Sequence, residues 1–414
     1  MFKISSLNGI SIILKFCIGF ITSKFIALFV GPSGMALVGN MRNFLASTEA
    51  FASLGFENGV VKYVASHKED EIELKKTLST VFITVFAVCF CVAITLFCFS
   101  EYFNRSIFGL QNQYGFVFKV LALVLPFYIG NIFLVATING LGNFKKVIYI
   151  NIIGSCIGLL VSLILIYQLK TEGAILSIIA TPSLLFLISF FFINKEINIL
   201  SNINFKFYDF KSLHNLSSYS LMALVSSVFG PMVFIAIRKY IILNLSLVDA
   251  GFWEAISRIS SYYFMFITSI LSIYFLPKLS ISKNYKDTSA ILWSFYKGVF
   301  PIFVIALIML FFLRDIAIQL IFTKQFLPVT KLFFWQMVGD IFKAASYVLA
   351  FLFYAKRLTK AFIISEIGSL LLLYFSSLFF IHKFGIEGVV MAHALTYFIY
   401  FIVLSLYFRK YLAI

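Results

Sequence analysis

Thirteen ionisable residues sit inside long apolar stretches of this chain: Lys15, Lys24, Arg42, Glu49, Glu57, Lys119, Arg238, Glu254, Arg258, Lys297, Asp340, Lys343 and Glu366. If those stretches cross a bilayer, each charge costs at least about 2.5 kcal/mol at a helix centre, so each needs a partner, water or an escape to the interface. Lys119, Lys297 and Glu57 lie near the ends of their stretches and can snorkel. Arg42 and Arg258 are deeper. Arg42 lies eight residues beyond Gly34, roughly 12 Å into its helix at about 1.5 Å per residue. Arg258 lies seven residues beyond Gly251, and Lys24 is at similar depth, six residues before the end of the first stretch; Arg238 is close to the outer end of its own. Guanidinium groups bind phosphate through paired hydrogen bonds and lysine adds point charge, so a chamber lined by these residues is expected to take an anionic substrate. Ion pairing of the arginines with Glu49 or Glu254 is the structural alternative.

Asp340 and Lys343 are three residues apart and share a helix face. Glu366 lies about two turns into the next helix. A buried carboxylate beside a movable cation is the usual element of proton or sodium coupling, while a static Asp340–Lys343 ion pair stays open. The coupling or gating candidates are therefore Asp340, Lys343, Glu366, Glu49 and Glu254. No other chemistry is legible. There is no Gly-rich phosphate loop, no HExxH and no nucleophile elbow. The five cysteines (Cys17, Cys89, Cys91, Cys98, Cys156) all fall in apolar stretches, so neither a disulfide framework nor a metal site is expected. His393 is the histidine placed well inside an apolar stretch, and a packed helix-face role is expected for it. No cofactor is expected beyond a coupling proton or sodium ion.

The elements that must hold these residues follow from composition. Hydrophobic residues make up 61% and charged residues 12% of the 414, about half the charge of a soluble domain. The chain is expected to be an all-α integral membrane protein. A spanning helix needs about 20 apolar residues. Twelve windows qualify: 4–30, 34–65, 77–99, 115–140, 146–168, 172–193, 213–242, 247–278, 289–313, 327–355, 358–382 and 386–410. Pro126, Pro182, Pro231 and Pro301 lie inside windows and are expected to kink them. No cleavage site follows the first window, which is expected to act as its own targeting signal. The net charge of +16 would suggest nucleic acid in a soluble protein. Here the basic residues gather in alternate breaks (Lys68, Lys75, Lys76, Lys145, Lys146, Lys195, Lys356, Arg409), against Arg105, Lys170, Arg314, Lys324 and Lys383 on the other side. This asymmetry places both termini in the cytoplasm and assigns the charge to orientation, not to nucleic acid.

The halves repeat weakly. Gly130-Asn131-Ile132-Phe133 matches Gly339-Asp340-Ile341-Phe342, Ile153-Gly154-Ser155 matches Ile367-Gly368-Ser369, and Glu172-Gly173-Ala174 with Thr181 matches Glu387-Gly388-Val389 with Thr396, at shifts of 209 to 215 residues. Two parallel pseudo-symmetric six-helix lobes around a central cavity are expected, residues 1–193 and 213–414, joined by a cytoplasmic linker at 194–212.

Longer motifs carry a resemblance. They are Phe29-Val30-Gly31-Pro32-Ser33-Gly34, Asn40-Met41-Arg42, Asn58-Gly59-Val60-Val61-Lys62-Tyr63-Val64-Ala65, Leu221 to Leu224 with Pro231 and Arg238, Gly251-Phe252-Trp253, and Leu313-Arg314-Asp315 through Trp335-Gln336-Met337-Val338-Gly339-Asp340 to Lys343, then Ala355-Lys356 and Ser365-Glu366. With these, the sequence resembles the Wzx-type flippases of the MATE/MOP superfamily, the O-antigen and enterobacterial-common-antigen branch. Lys24, Arg42, Lys62, Arg238, Asp340 and Lys343 fit its pattern. Arg258 departs from it, standing where members carry a small polar residue. The resemblance implies a multi-pass bacterial inner-membrane flippase that moves undecaprenyl-diphosphate-linked oligosaccharide, such as an O-antigen repeat unit, by alternating access coupled to an ion gradient. The diphosphate would meet Lys24, Arg42, Arg258, Lys62 and Arg238. Membrane lipid and other polysaccharide-assembly proteins would be its partners. A drug/cation antiporter of the same superfamily should have an acidic, aromatic cavity. A polymerase of the pathway should have a long outer loop, which this chain lacks.

Overall fold

A computed structural model describes residues 2–110, 112–282 and 284–412. Those residues form helices and turns, with no strand among them. The chain divides into two compact units, Met1–Val30 with Leu37–Ile235, and Gly31–Ala36 with Ala236–Ile414. The border falls inside a helix, further along the chain than the polar segment at 194–212.

The first unit contains α1 (Phe2–Phe29), most of α2 (Gly31–Ser53), α3 (Glu57–Ser66), α4 (Glu71–Cys98), α5 (Ser100–Phe108), α6 (Gly115–Gly140), α7 (Phe144–Asn194), the short α8 (Ile199–Asn202) and the first part of α9 (Phe210–Asn244). Here α6 packs against α3, α4, α5 and α7, and α1 packs along α7. Asp70 caps α4, accepting from the backbone N–H of Ile72 and Glu73 at 3.1 Å each. The expected single helix over 34–65 is two helices. Leu54 (φ 53°) and Gly55 (φ 65°) both turn left-handed and separate α2 from α3, and a Cβ on Gly55 would press on the Ser220 carbonyl at 3.1 Å.

The second unit contains the end of α9, then α10 (Leu247–Ile270), α11 (Leu276–Ile281), α12 (Tyr285–Ser294), α13 (Phe300–Phe312), α14 (Arg314–Ile321), α15 (Phe333–Ala355), α16 (Thr359–Phe384), α17 (Glu387–Tyr407) and α18 (Arg409–Leu412). A 3₁₀ segment, Lys324–Leu332, leads into α15. Two π-turns, Leu271–Phe275 and Phe295–Val299, run directly into α11 and α13. Each precedes a proline by two residues, Pro277 and Pro301. Proline lacks the N–H and collides with the carbonyl four residues back, and a widened turn relieves both problems. Phe275 and Phe295 pack the two π-turns edge to face, ring centroids 5.4 Å apart.

Among the described residues ten helical stretches are long and apolar enough to cross a membrane. One of them, α7, is 51 residues long and holds a sharp turn at Lys170 (φ 49°, ψ −118°), so it is two spans. The polar residues of α2 (Asn40, Arg42, Glu49) keep that 23-residue helix outside the ten. With α7 taken as two and α2 added, the described residues would give twelve, the number of the sequence windows.

The repeat is written in the turns. The α6–α7 turn closes with Leu141 N–H to Thr137 C=O (2.9 Å) and Asn143 N–H to Ile138 C=O (3.2 Å); the α15–α16 turn closes with Lys356 to Leu352 (2.8 Å) and Leu358 to Phe353 (2.8 Å). Gly142 and Arg357 both have positive φ, as do Lys170 and Gly385. A Cβ on Gly173 would strike the Leu165 carbonyl, and one on Gly388 the Phe380 carbonyl. Every one of these pairs is 215 residues apart. The Glu172–Ala174 and Thr181 matches share that register. The matches of Gly130–Phe133 with Gly339–Phe342, at a shift of 209, and of Gly154 with Gly368, at 214, fall out of register with it. They are coincidences of apolar composition.

Candidate functional site

In the first unit the basic candidates lie on three helices. Lys24 is half-buried on α1, whereas Arg42 on α2 and Lys62 on α3 are exposed. Lys62 Nζ lies 5.3 Å from the Tyr63 ring. The neighbours of Arg42 fix its helix: Met41 is fully buried, and Asn40 Nδ2 donates to the Ile107 carbonyl of α5 at 2.7 Å. Glu49, two turns on, accepts a hydrogen bond from the Tyr128 hydroxyl of α6. Among the described residues Glu49 makes this bond to a tyrosine and no ion pair with an arginine.

The second unit places its charges inside. Glu254 on α10 binds Arg238 Nη2 of α9 at 2.6 Å and Arg258 Nε, one turn along its own helix, at 3.0 Å. Arg238 is 1% and Arg258 4% exposed, and Arg238 lies over the Trp253 ring at 5.2 Å. In this structure both arginines expected at the diphosphate are engaged by one carboxylate. Of the two roles left open by the sequence, pairing with Glu254 is the one realised here.

Asp340, with no exposed surface, gathers three helices. It accepts from Ser260 Oγ (2.8 Å) and the Tyr263 hydroxyl of α10, from Gln336 Nε2 of α15 (3.2 Å) and from His393 Nε2 of α17 (2.9 Å). Among the described residues Asp340 contacts His393 at 2.9 Å and makes no ion pair with Lys343. The static Asp340–Lys343 pair that the sequence left open is not formed among the described residues. The Lys343 ammonium instead sits among three aromatic rings, Phe264 (4.6 Å), Tyr397 (5.2 Å) and Tyr347 (5.7 Å). Such a cage holds a cation through ring quadrupoles. Glu366 on α16 lies within electrostatic reach of Lys343. His393 is the residue that the sequence reading undervalued: a lone histidine in an apolar helix has no spacing signal, and its carboxylate partner is 53 residues away.

The sequence pattern of a family described as polysaccharide biosynthesis protein matches residues 3–281, well over half of the chain. The chain belongs to this family. Within reach of it are two relatives named lipid III flippase, from Escherichia coli (strain K12) and Shigella flexneri. Each is 29% identical over 400 residues, covering 96% of both chains. Solved structures give the fold. An inward-facing multidrug resistance MATE family transporter of the MOP superfamily superposes with a TM-score of 0.79 at 14% identity, covering 96% of this chain and 97% of that one. The lipid II flippase MurJ, in an inward closed conformation, superposes at 0.65 with 17% identity, covering 100% and 89%. This member of the polysaccharide family therefore has the MATE/MOP fold, all-helical and multi-pass.

Proposed function

We propose that this protein is a transporter, not an enzyme, that flips an undecaprenyl-diphosphate-linked oligosaccharide of the O-antigen repeat-unit kind from the cytoplasmic to the periplasmic leaflet of the bacterial inner membrane. It works by alternating access, driven by an ion gradient. The observation that carries this reading is the 29% identity to a lipid III flippase along 96% of both chains. The likeness to multidrug transporters, at 14% identity, speaks for fold alone, and the basic residues of α1–α3 suit an anion better than a cationic drug. Lys24, Arg42 and Lys62 meet the diphosphate. Arg238 and Arg258, held by Glu254, brace the second unit.

Two experiments test this. Purified protein in liposomes should move a polyprenyl diphosphate bearing a fluorescent oligosaccharide to the opposite leaflet; no movement above empty liposomes refutes the function. In cells, Arg42→Ala should lower surface polysaccharide at least about tenfold, as expected for losing a charge-assisted contact of about 1.5–3 kcal/mol. Normal polysaccharide at normal expression would remove Arg42 from the diphosphate site.

A further inference from the structure

The Asp340 cluster bears on which ion drives the cycle. A carboxylate offers about four lone-pair positions, and four donors already face this one: the Ser260 and Tyr263 hydroxyls, the Gln336 amide and the His393 ring. A hard cation such as sodium needs several free oxygen ligands. It could enter only by displacing these donors, and one of them is a ring nitrogen, a poor ligand for it.

His393 has the opposite character. Its Nε2 faces Asp340 at 2.9 Å and so carries the hydrogen. Its Nδ1 has no hydrogen-bond partner among the described residues, and the side chain keeps 10% of its surface open. Histidine is also the side chain whose ordinary protonation lies nearest neutral pH. Asp340 faces the ring from α15, Gln336 lies 3.3 Å from its Nε2, and Tyr263 of α10 binds Asp340; Lys343 and Tyr347 lie about Tyr397. Tyr397, on its own helix, packs edge-on at 4.8 Å. Glu366 and Tyr400 lie behind Lys343 and Tyr397. Lys324 and Lys331 of the 3₁₀ segment make no hydrogen bond or ion pair with it among the described residues.

We propose that His393 is the proton carrier of the transport cycle, taking a proton at Nδ1 while Asp340 remains the fixed anion, so that the protein couples to protons and not to sodium. With a proton taken from water, the His393–Asp340 pair passes from one negative charge to none. A neutral ring leaves Asp340 shared among α10, α15 and α17. A charged ring turns the α15–α17 contact into an ion pair and tightens it relative to α10. This proposal rests on the flippase reading for its role in transport, but not for its titration.

The test has two arms. The first needs no substrate. Full-length protein with ¹⁵N-labelled histidine, in lipid nanodiscs, is titrated by NMR, and His393→Gln identifies the resonance among four histidines. The resonance should respond to pH and ignore added sodium; a flat response to pH, or one moved by sodium, overturns the proposal. In the second arm, proteoliposomes carry the fluorescent oligosaccharide lipid. For one proton per cycle its steady-state leaflet ratio should shift about tenfold per pH unit of gradient, and a sodium gradient should leave it unchanged. His393→Gln can still donate to Asp340, so it should keep gradient-free exchange and lose the pH response. Full pH response in His393→Gln, or sodium-driven movement in the wild type, overturns it. A titrating His393 in a protein that moves no lipid refutes the flippase reading and the transport role together, and leaves the proton site standing.

Discussion

Glu254 binds two buried arginines, and its removal should destabilise the protein strongly. The carboxylate touches Arg238 at 2.6 Å and Arg258 at 3.0 Å. Glu254→Ala leaves both guanidinium groups in place, 1% and 4% exposed, without the carboxylate that binds them. Removing one partner of a buried ion pair costs about 3–5 kcal/mol; here two pairs go at once, so the upper end applies. At about 2–4 °C per kcal/mol for a unit of this size, Tm should fall on the order of 10–20 °C. Glu254→Gln keeps an acceptor for one arginine and should fall about half as far. The triple change Arg238→Met, Glu254→Leu, Arg258→Met removes every charge and should recover most of the loss, since buried ion triads often yield to apolar packing of similar volume. Detergent-purified variants are heated in steps, and the surviving monodisperse peak is followed by size-exclusion chromatography. A Glu254→Ala protein melting within about 2 °C of the wild type would refute the reasoning, because the two arginines would then have other means of neutralisation.

The repeated turns and the aromatic cage give further expectations. Gly173→Ala and Gly388→Ala each drive a methyl group into a backbone carbonyl, so each should lose most folded protein on chromatography, whereas Gly230→Ala, whose Cβ meets nothing within 4 Å, should not. Lys343→Met removes a caged cation worth on the order of 2 kcal/mol when desolvated, and should lower Tm by several degrees on the same heating series, with Lys343→Arg closer to wild type.

The fold was legible because composition and hydropathic spacing report the bilayer directly. What escaped the sequence was local. The Leu54–Gly55 break lies inside an unbroken apolar pattern, so a single left-handed glycine had to signal it. In helices built from a few apolar residue types, short matches arise by chance, which is why the repeat taken from Gly130 and Gly339 sits in the wrong register. Turns carry stricter geometry, and there Glu172–Gly173 and Glu387–Gly388 were placed correctly. At the site, the ionisable residues themselves were all visible. Their partners were not, because partnership is set by which helices pack. Asp340 looked joined to Lys343 by spacing of three residues, yet α17 brings His393 to it instead and Lys343 turns to the rings.

A backbone that needs φ near +50° at position 170 would favour glycine if folding stability were the sole pressure on it. Glycine does stand at the counterpart, Gly385, while position 170 carries lysine. The two copies of this scaffold have thus diverged in kind as well as in sequence. In one copy the hinge between spans keeps the residue that its geometry prefers. In the other a lysine holds the corner, and its positive φ is strain that a glycine there would not carry.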